Sequence, residues 1–131
     1  MMNQRLSILL IDDDEDDRWL FTDALNRTVP SVKCITASGG QEAISLLDEG
    51  REKLPDLIFL DLNMPGMDGK KCLSLLKAHD KLSSIPVIVY STSNFPKDTE
   101  DAIRLGAKEF IMKPADYSQL CEMLHSRLSN A

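Results

Sequence analysis

The stretch Ile8-Leu9-Leu10-Ile11-Asp12-Asp13-Asp14-Glu15-Asp16-Asp17 joins four consecutive apolar residues to six consecutive acidic ones. Four apolar residues without a helical period predict a short strand that is buried on both faces. Acidic side chains interact favourably with the dipole at the start of a helix, so much of the acidic run predicts a helix that follows the strand directly. That explanation does not cover Asp12 and Asp13, because like charges repel and are costly to desolvate at the end of a buried strand.

The rest of the chain repeats this alternation of short apolar runs and amphipathic segments. Strands are predicted at 6–11, 32–36, 56–60, 86–90 and 108–112, and helices at 14–28, 42–49, 70–79, 98–105 and 116–128. Five strands that alternate with five helices require right-handed crossovers between parallel strands. The predicted fold is therefore α/β, a doubly wound five-stranded parallel sheet, with the more polar second strand near an edge.

Local patterns refine three of the helices. Ser38 and Gln41 have the spacing of a capping box at the start of the second helix. Asp116 and Gln119 form a similar capping pair at the start of the fifth helix. On the first helix, the residues predicted to share the buried face are Leu20, Phe21, Ala24 and Leu25.

Composition limits the class of protein. The chain has 131 residues, 43% hydrophobic and 27% charged, which predicts a single globular domain over 1–131. The last predicted helix reaches almost to residue 131, so we expect no output domain. A net charge of −6 argues against non-specific binding to nucleic acid or to an anionic membrane. Three scattered cysteines, with no signal peptide or membrane-spanning run, indicate free thiols in a cytoplasmic protein.

Polar residues follow four of the predicted strands. They are Asp12 and Asp13 after the first, Asp61 after the third, Ser91 and Thr92 after the fourth, and Lys113 after the fifth. Ligands of such sheets bind beyond the carboxyl ends of the strands, where the strand order reverses, so we expect these side chains to meet on one rim. Each residue alone has an ordinary explanation as a turn residue, a loop hydroxyl or a surface charge. Their joint placement at successive strand ends indicates a site.

This combination of side chains suits phosphoryl transfer. Three carboxylates in a shallow pocket do not all stay ionised cheaply without a cation. Oxygen ligands suit Mg²⁺, which keeps several waters and usually shares its coordination shell with a phosphate. The cation, an ammonium group and a hydroxyl donor together neutralise and position an incoming phosphoryl group. An aspartate in that setting can attack the group and form an acyl phosphate.

The chain resembles the receiver domain of two-component response regulators, which has a flavodoxin-like (βα)5 fold. The resemblance covers essentially the whole chain and rests on four segments in order. They are LLIDD at 9–13, DLIFLDLNMPGMDG at 56–69, IPVIVYS at 85–91 and GAKEFIMKP at 106–114. The 50–55 connection and the Tyr90-Ser91-Thr92-Ser93 run also look like stand-alone regulators that are paired with phytochrome-type sensor kinases.

The resemblance implies a role for the residues of the predicted rim. Asp61 would accept a phosphoryl group from the phosphohistidine of a sensor histidine kinase or of a histidine phosphotransfer protein. Asp13 would bind Mg²⁺ directly and Asp12 largely through water. Asp61 and the Asn63 carbonyl would complete the protein ligands. Lys113 would pair with Asp61 and then with the phosphoryl oxygens.

The resemblance also implies how the phosphoryl group is sensed. Ser91 would bond to it and swing inward, and Phe110 would turn from exposed to buried. Thr92 and Asn63 are further candidates for phosphoryl contact. The change would reach the surface of the fourth helix, fifth strand and fifth helix, roughly 98–128, which in this family supports homodimerisation or partner docking. Catalysis would be limited to the protein's own phosphotransfer and dephosphorylation.

Three positions depart from the commonest family pattern. Ser91 stands where threonine is more usual; it keeps the hydroxyl but loses a methyl group and stiffness at χ1. Thr92 stands where a smaller residue is frequent, which predicts tighter access to the phosphoryl group. Phe110 stands where many relatives have tyrosine, so a switch here would act by packing without a phenolic hydrogen bond.

Other classes of protein fit the sequence less well. A haloacid-dehalogenase-type phosphatase would use Asp12 as nucleophile and Asp14 as general acid, but the expected threonine or valine downstream and a cap domain are absent. Two partial calcium-loop patterns lack required residues, and six acidic residues would repel the phosphate of a flavin. A binding-only pseudo-receiver is the remaining alternative, although every group that the chemistry needs is present.

Overall fold

A computed structural model describes residues 6–50, 53–64 and 68–129. Within this part of the chain, five strands and five helices alternate as the sequence predicts. In chain order they are β1 Ser7–Ile11, α1 Glu15–Thr28, β2 Lys33–Ala37, α2 Gly40–Glu49, β3 Leu57–Leu60, α3 Gly69–Ala78, β4 Val87–Ser91, α4 Pro96–Arg104, β5 Glu109–Met112 and α5 Tyr117–Leu128. Turn residues 65–67 and positions 51–52 of the 50–55 connection lie outside the described residues.

The strands form one parallel sheet in the order β2-β1-β3-β4-β5. The predicted doubly wound α/β fold is confirmed, and β2 lies at an edge. Since β2 pairs on one side of β1 and β3 on the other, the order reverses at the carboxyl ends of β1 and β3. Ile11 pairs with Leu60, so the residues that follow them, Asp12 and Asp61, leave the sheet side by side.

Helices cover both faces of the sheet, and each face has its own apolar cluster. The cluster under α1 and α5 includes Ile8, Leu10, Phe21, Leu25, Phe59, Tyr90, Leu120 and Leu124. The cluster under α2, α3 and α4 includes Leu9, Ile11, Leu47, Ile58, Leu60, Leu73, Leu76, Val89 and Ala102. Full burial of each large aliphatic or aromatic side chain stabilises the fold by about 1.5–3 kcal/mol. The two clusters therefore hold the central strands as a rigid support for whatever their carboxyl ends carry.

Two details of the helices differ from the sequence predictions. Leu20 is 37% exposed, so its assignment to the buried face of α1 is wrong; Phe21, Ala24 and Leu25 form that face, and Leu20 lies to one side of the stripe. α2 begins at Gly40, earlier than predicted, and Ser38 bonds to Glu42 (Oγ to Oε1, 3.2 Å) in place of the predicted Gln41.

The capping pair predicted for α5 is confirmed, and a second hydrogen bond supports it. The Gln119 amide donates to Asp116 Oδ1 at 2.8 Å, and the Ala115 amide donates to Gln119 Oε1 at 3.1 Å. These bonds fix the start of α5 directly after β5, next to the carboxyl end of the sheet.

The cysteines are free thiols, as predicted. Burial raises the pKa of Cys34 to about 12 and that of Cys72 to about 11, so neither is a thiolate near neutral pH. Over the described residues, no helix is both long enough and apolar enough to cross a membrane.

Candidate functional site

The carboxyl ends of the strands bring the predicted rim residues to one edge of the sheet. The Asp12 amide donates to the Ala37 carbonyl at 3.1 Å, and the Asp61 amide donates to the Ile11 carbonyl at 2.9 Å. The Lys113 amide continues the ladder on the other side by donating to the Ser91 carbonyl at 2.7 Å. The backbone positions of these residues are thus set by the sheet, independently of flexible loops.

Three carboxylates at this edge have the composition and spacing of a divalent-cation site. Oxygens of Asp12, Asp13 and Asp61 all lie within 4.8 Å of one another. Asp12 and Asp61 are buried, whereas Asp13 is exposed. Such oxygens could hold one hard cation, and oxygen-only ligands are what Mg²⁺ prefers. The residues present therefore fit a divalent metal ion.

Burial makes the negative charge at this edge costly. It raises the pKa of Asp61 to about 6, against opposing effects of the Lys113 charge and the Asn63 amide, while the charges of Asp12 and Asp13 raise it further. Burial also raises the pKa of Asp12, with the hydrogen bond from Lys113 opposing it. Carboxyl pKa values that are raised in this way are found most often at functional sites, where a further charged group offsets the charge of the carboxylate.

Lys113 supplies the positive charge of the rim. Its ammonium lies 2.9 Å from Asp12 Oδ2, 2.8 Å from Asp17 Oδ2 and 3.6 Å from Asp61 Oδ2, and its side chain is only 11% exposed. Burial alone would lower the pKa of Lys113, but the hydrogen bonds to Asp17 and Asp12 outweigh it and the pKa is raised. The lysine is therefore charged and lies within ion-pair distance of Asp61, while its hydrogen bonds go to the other two carboxylates.

The hydroxyl predicted at the end of β4 lies in the same neighbourhood. Ser91 is fully buried, and its Oγ accepts hydrogen bonds from Asn63 Nδ2 at 3.3 Å and from the Ser93 amide at 3.2 Å. The backbone amide of Asn63 in turn donates to Asp61 Oδ1 at 3.2 Å. Asn63 therefore connects the carboxylate of β3 to the hydroxyl of β4, and Thr92 lies exposed beyond Ser91.

The predicted switch residue, Phe110, lies on β5 and is half-buried. It packs on the apolar cluster under α2, α3 and α4, which includes Ala102 of α4 and Ala107. On the neighbouring strand, β4, Phe110 pairs with Val89, two residues before Ser91. The ring therefore lies on the face of the sheet that α4 covers, on the strand next to the one that ends at Ser91.

The backbone after Asp61 approaches the first turn of α3 closely. A Cβ atom added to Gly69 would lie 2.3 Å from Leu62 Cα and 2.5 Å from the Asp61 carbonyl oxygen. No real side chain tolerates that approach, so glycine is required for α3 to pack against the segment that carries Asp61. From the sequence alone, Gly69 is predicted only as a turn residue.

Two residues of α1 contact the rim residues. From the sequence alone, the acidic residues at the start of this helix are assigned to the helix only. Asp17 pairs with Lys113, and the Arg18 guanidinium donates to the Asp12 carbonyl at 2.7 Å. Asp14 does act as a helix cap, since its Oδ1 accepts from the Asp17 amide at 3.0 Å. Side chains of a helix tilt toward its N-terminus, which for α1 is the end nearest the rim. This rule could have predicted from the sequence that Asp17 lies near Lys113.

A cleft of about 530 Å³ opens beside the lysine. Its walls come from α1, the ends of β4 and β5, and the start of α5, and they include Asp17, Leu20, Thr92, Met112, Lys113 and Tyr117. The Lys113–Asp17 contact therefore borders open space, which leaves the ammonium room to move.

Comparisons with known proteins agree with this geometry. A family model described as response regulator receiver domain matches residues 8–125. The two-component response regulator ORR1 of Oryza sativa subsp. japonica is 34% identical over 82% of this chain and 48% of its own length. The chain thus spans about half the length of that relative, and 56% of the length of the nitrate/nitrite response regulator NarL of Escherichia coli.

Solved structures are similar over nearly the entire fold. The phosphorylated cyanobacterial phytochrome response regulator RcpA superposes with a TM-score of 0.89 and 32% identity, covering 98% of this chain and 97% of that one. The Mn²⁺-bound form of response regulator Rcp1 gives a TM-score of 0.84 and 28% identity, covering 95% and 92%.

Proposed function

The chain belongs to the response regulator receiver domain family of two-component systems, and from that premise we propose that Asp61 accepts a phosphoryl group from the phosphohistidine of a sensor histidine kinase or histidine phosphotransfer protein. The observation that carries the proposal is the buried Asp61 carboxylate between two other aspartates and a charged lysine. A haloacid-dehalogenase-type reaction is less favoured, because the carboxylate of Asp14 caps α1.

The chemistry needs a nucleophile and charge neutralisation. A carboxylate oxygen of Asp61 attacks phosphorus, the bond from phosphorus to the imidazole nitrogen of the donor breaks, and the imidazole keeps the bonding electron pair. Asp12, Asp13, Asp61 and the Asn63 carbonyl would hold Mg²⁺, which when bound neutralises charge on the carboxylates and the phosphoryl oxygens. The similar response regulator Rcp1 has a Mn²⁺-bound form, which supports a divalent ion as a ligand of this fold.

The chain's own residues position the incoming group. Lys113, 3.6 Å from Asp61, supplies a mobile ammonium for a phosphoryl oxygen. Ser91 would exchange its present bonds with Asn63 and Ser93 for one to the phosphoryl group. Thr92 and Asn63 are candidates for further contact. Catalysis is then confined to the protein's own phosphorylation and dephosphorylation, so we expect negligible turnover of p-nitrophenyl phosphate.

The nucleophile is tested with acetyl phosphate and Mg²⁺. Intact-mass analysis should show one added phosphoryl group on the wild-type protein and none on Asp61→Asn or without metal. Asp101→Asn, on α4, is a matched control because it makes the same chemical change at a buried aspartate away from the rim, and it should label normally. Full labelling of Asp61→Asn would refute the assignment.

We further propose that phosphorylation changes the surface formed by α4, β5 and α5. This surface exposes Phe95, Ile103 and Met112, whose exposed fractions are 68%, 49% and 55%. Movement of Ser91 would let Phe110 pack differently beneath α4, so that a homodimer or a docked partner binds one packing better than the other. Sedimentation with and without beryllofluoride plus Mg²⁺ should differ, and Ile103→Glu should abolish the difference. An unchanged sedimentation profile, with unchanged titrations of the kinase, contradicts this part of the proposal.

A further inference from the structure

The shortest ion pair of Lys113 is with a residue outside the strand ends. Its ammonium is 2.8 Å from Asp17 on α1, compared with 2.9 Å from Asp12 and 3.6 Å from Asp61. An ammonium group has three hydrogens to donate. Two are directed at Asp12 and Asp17, so the lysine is largely occupied in the arrangement that precedes phosphoryl transfer.

The position of Asp17 is fixed by the start of α1. Its amide donates to the capping carboxylate of Asp14, which orders the first turn. The next residue, Arg18, is bonded to the Asp12 carbonyl, which ties the same turn to the end of β1. The Asp17 carboxylate is thereby presented to Lys113 by ordered backbone on both sides.

We propose that Asp17 is a positioning residue that holds the Lys113 ammonium back from Asp61 until a phosphoryl group arrives. This inference rests on the proposed function of Asp61. Asp17 is the partner that Lys113 gives up most readily, because its side chain is 37% exposed and water replaces the lost contact, whereas Asp12 is 0% exposed. The cleft beside the pair gives the ammonium space for the movement.

The contact has a defined thermodynamic consequence. It stabilises the position of the ammonium beside Asp17, 3.6 Å from Asp61, and so opposes the movement toward Asp61 that a bound phosphoryl group or its mimic requires. Removal of the contact should therefore raise the affinity for the mimic. Because partly exposed ion pairs are weak, the expected gain is about two- to fivefold.

Beryllofluoride at saturating Mg²⁺, titrated by calorimetry, measures this gain without turnover. Asp17→Asn and Asp17→Ala should both bind it about two- to fivefold more tightly than the wild type. Alanine should have the larger effect, since asparagine still offers a carbonyl oxygen to the lysine. Asp16→Asn is the matched control: it removes the same charge from an exposed neighbour in the same helical turn, and it reports the general effect of reduced negative charge on an anionic ligand.

The outcomes separate the two proposals. A gain in both Asp17 variants that exceeds the gain in Asp16→Asn supports the positioning role. Equal gains in the Asp17 and Asp16 variants, or weaker binding by the Asp17 variants, overturn that role while leaving the function of Asp61 intact. A folded wild-type protein that fails to bind beryllofluoride with Mg²⁺ overturns the proposed function itself. Circular dichroism of each variant checks folding.

Discussion

Two clusters of lysine and aspartate in the described part of the chain have opposite electrostatic results. The rim cluster, beyond the carboxyl ends of β1, β3 and β5, consists of Lys113, Asp12, Asp17 and Asp61. The α3–α4 cluster, between two helices, consists of Lys70, Lys97, Asp98, Asp101 and Arg104. In these ion pairs Lys113 alone faces three carboxylates, whereas in the α3–α4 cluster three cations face two carboxylates.

The carboxylates of the α3–α4 cluster are well compensated. Lys70 lies 2.7 Å from Asp98 and 3.0 Å from Asp101, and Arg104 lies 2.9 Å from Asp101. Hydrogen bonds from Lys70 and then Ser93 lower the pKa of Asp98, and those from Arg104 and then Lys70 lower the pKa of Asp101. In the rim cluster, burial raises the pKa of both Asp12 and Asp61.

The two clusters therefore differ in the sign of their contribution to stability. Carboxylates with lowered pKa values stabilise the folded state near neutral pH, whereas carboxylates with raised pKa values destabilise it. Destabilising negative charge at the ends of buried strands favours the binding of a further positive charge there. A divalent cation and the lysine together would complete the rim, whereas the α3–α4 cluster needs nothing more.

The largest expected effect is on stability without metal. With a folded pKa of about 6 for Asp61 and a reference value of 3.8, its contribution is most favourable below about pH 4 and is lost as the pH rises through about 6. In chelator-treated protein near pH 7, Asp61→Asn should therefore raise the free energy of unfolding by up to about 3 kcal/mol, with little gain near pH 4. Urea unfolding at both pH values measures the change.

Asp101→Asn is the comparator, and its effect should have the opposite sign. Because the pKa of Asp101 is lowered, the stability that it contributes is present above its reference pKa and is lost as the pH falls through the folded value. The variant should be less stable than the wild type near neutral pH. If both variants shift stability in the same direction, the electrostatic distinction between the two clusters is wrong.

A smaller effect is expected on metal affinity. Lys113 places a positive charge beside the carboxylates that would hold the ion and repels a cation there, so Lys113→Met should bind Mg²⁺ about tenfold more tightly, a difference of roughly 1.4 kcal/mol. Lys70→Met removes the same side chain from the compensated cluster and should leave Mg²⁺ affinity nearly unchanged. Calorimetric titration of the two variants at equal ionic strength makes the comparison, and equal affinities would place the metal elsewhere.

The placement of the rim residues followed from the sequence for a physical reason. Parallel strands end at one edge, so apolar runs that each finish in a polar residue predict where Asp12, Asp61 and Lys113 emerge. The register of the strands then decides which of these residues are adjacent. Ile11 pairs with Leu60, so Asp12 and Asp61 emerge side by side. Fold class and the identity of the rim were therefore predictable from pattern alone.

The contacts within the rim depend on tertiary packing that no local pattern contains. Lys113 bonds to Asp17 because α1 packs beside α5, which follows Lys113 in the chain. The pKa of Asp61 depends on burial, which the whole fold produces. The exposed position of Leu20 and the tight approach of Gly69 to Leu62 likewise depend on how helices pack on the sheet.

The central claim, that the rim cluster is a phosphoryl acceptor with Asp61 as nucleophile, is tested most directly by trapping the acyl phosphate. Borohydride reduces an aspartyl phosphate to homoserine, and trypsin then releases residues 54–70, which contain Asp56, Asp61 and Asp68. After labelling with Mg²⁺ and acetyl phosphate, fragmentation should place homoserine at position 61 and leave Asp56 and Asp68 unchanged. Homoserine at position 56 or 68, or at position 12 in the tryptic peptide 6–18, with an intact Asp61, would contradict the account.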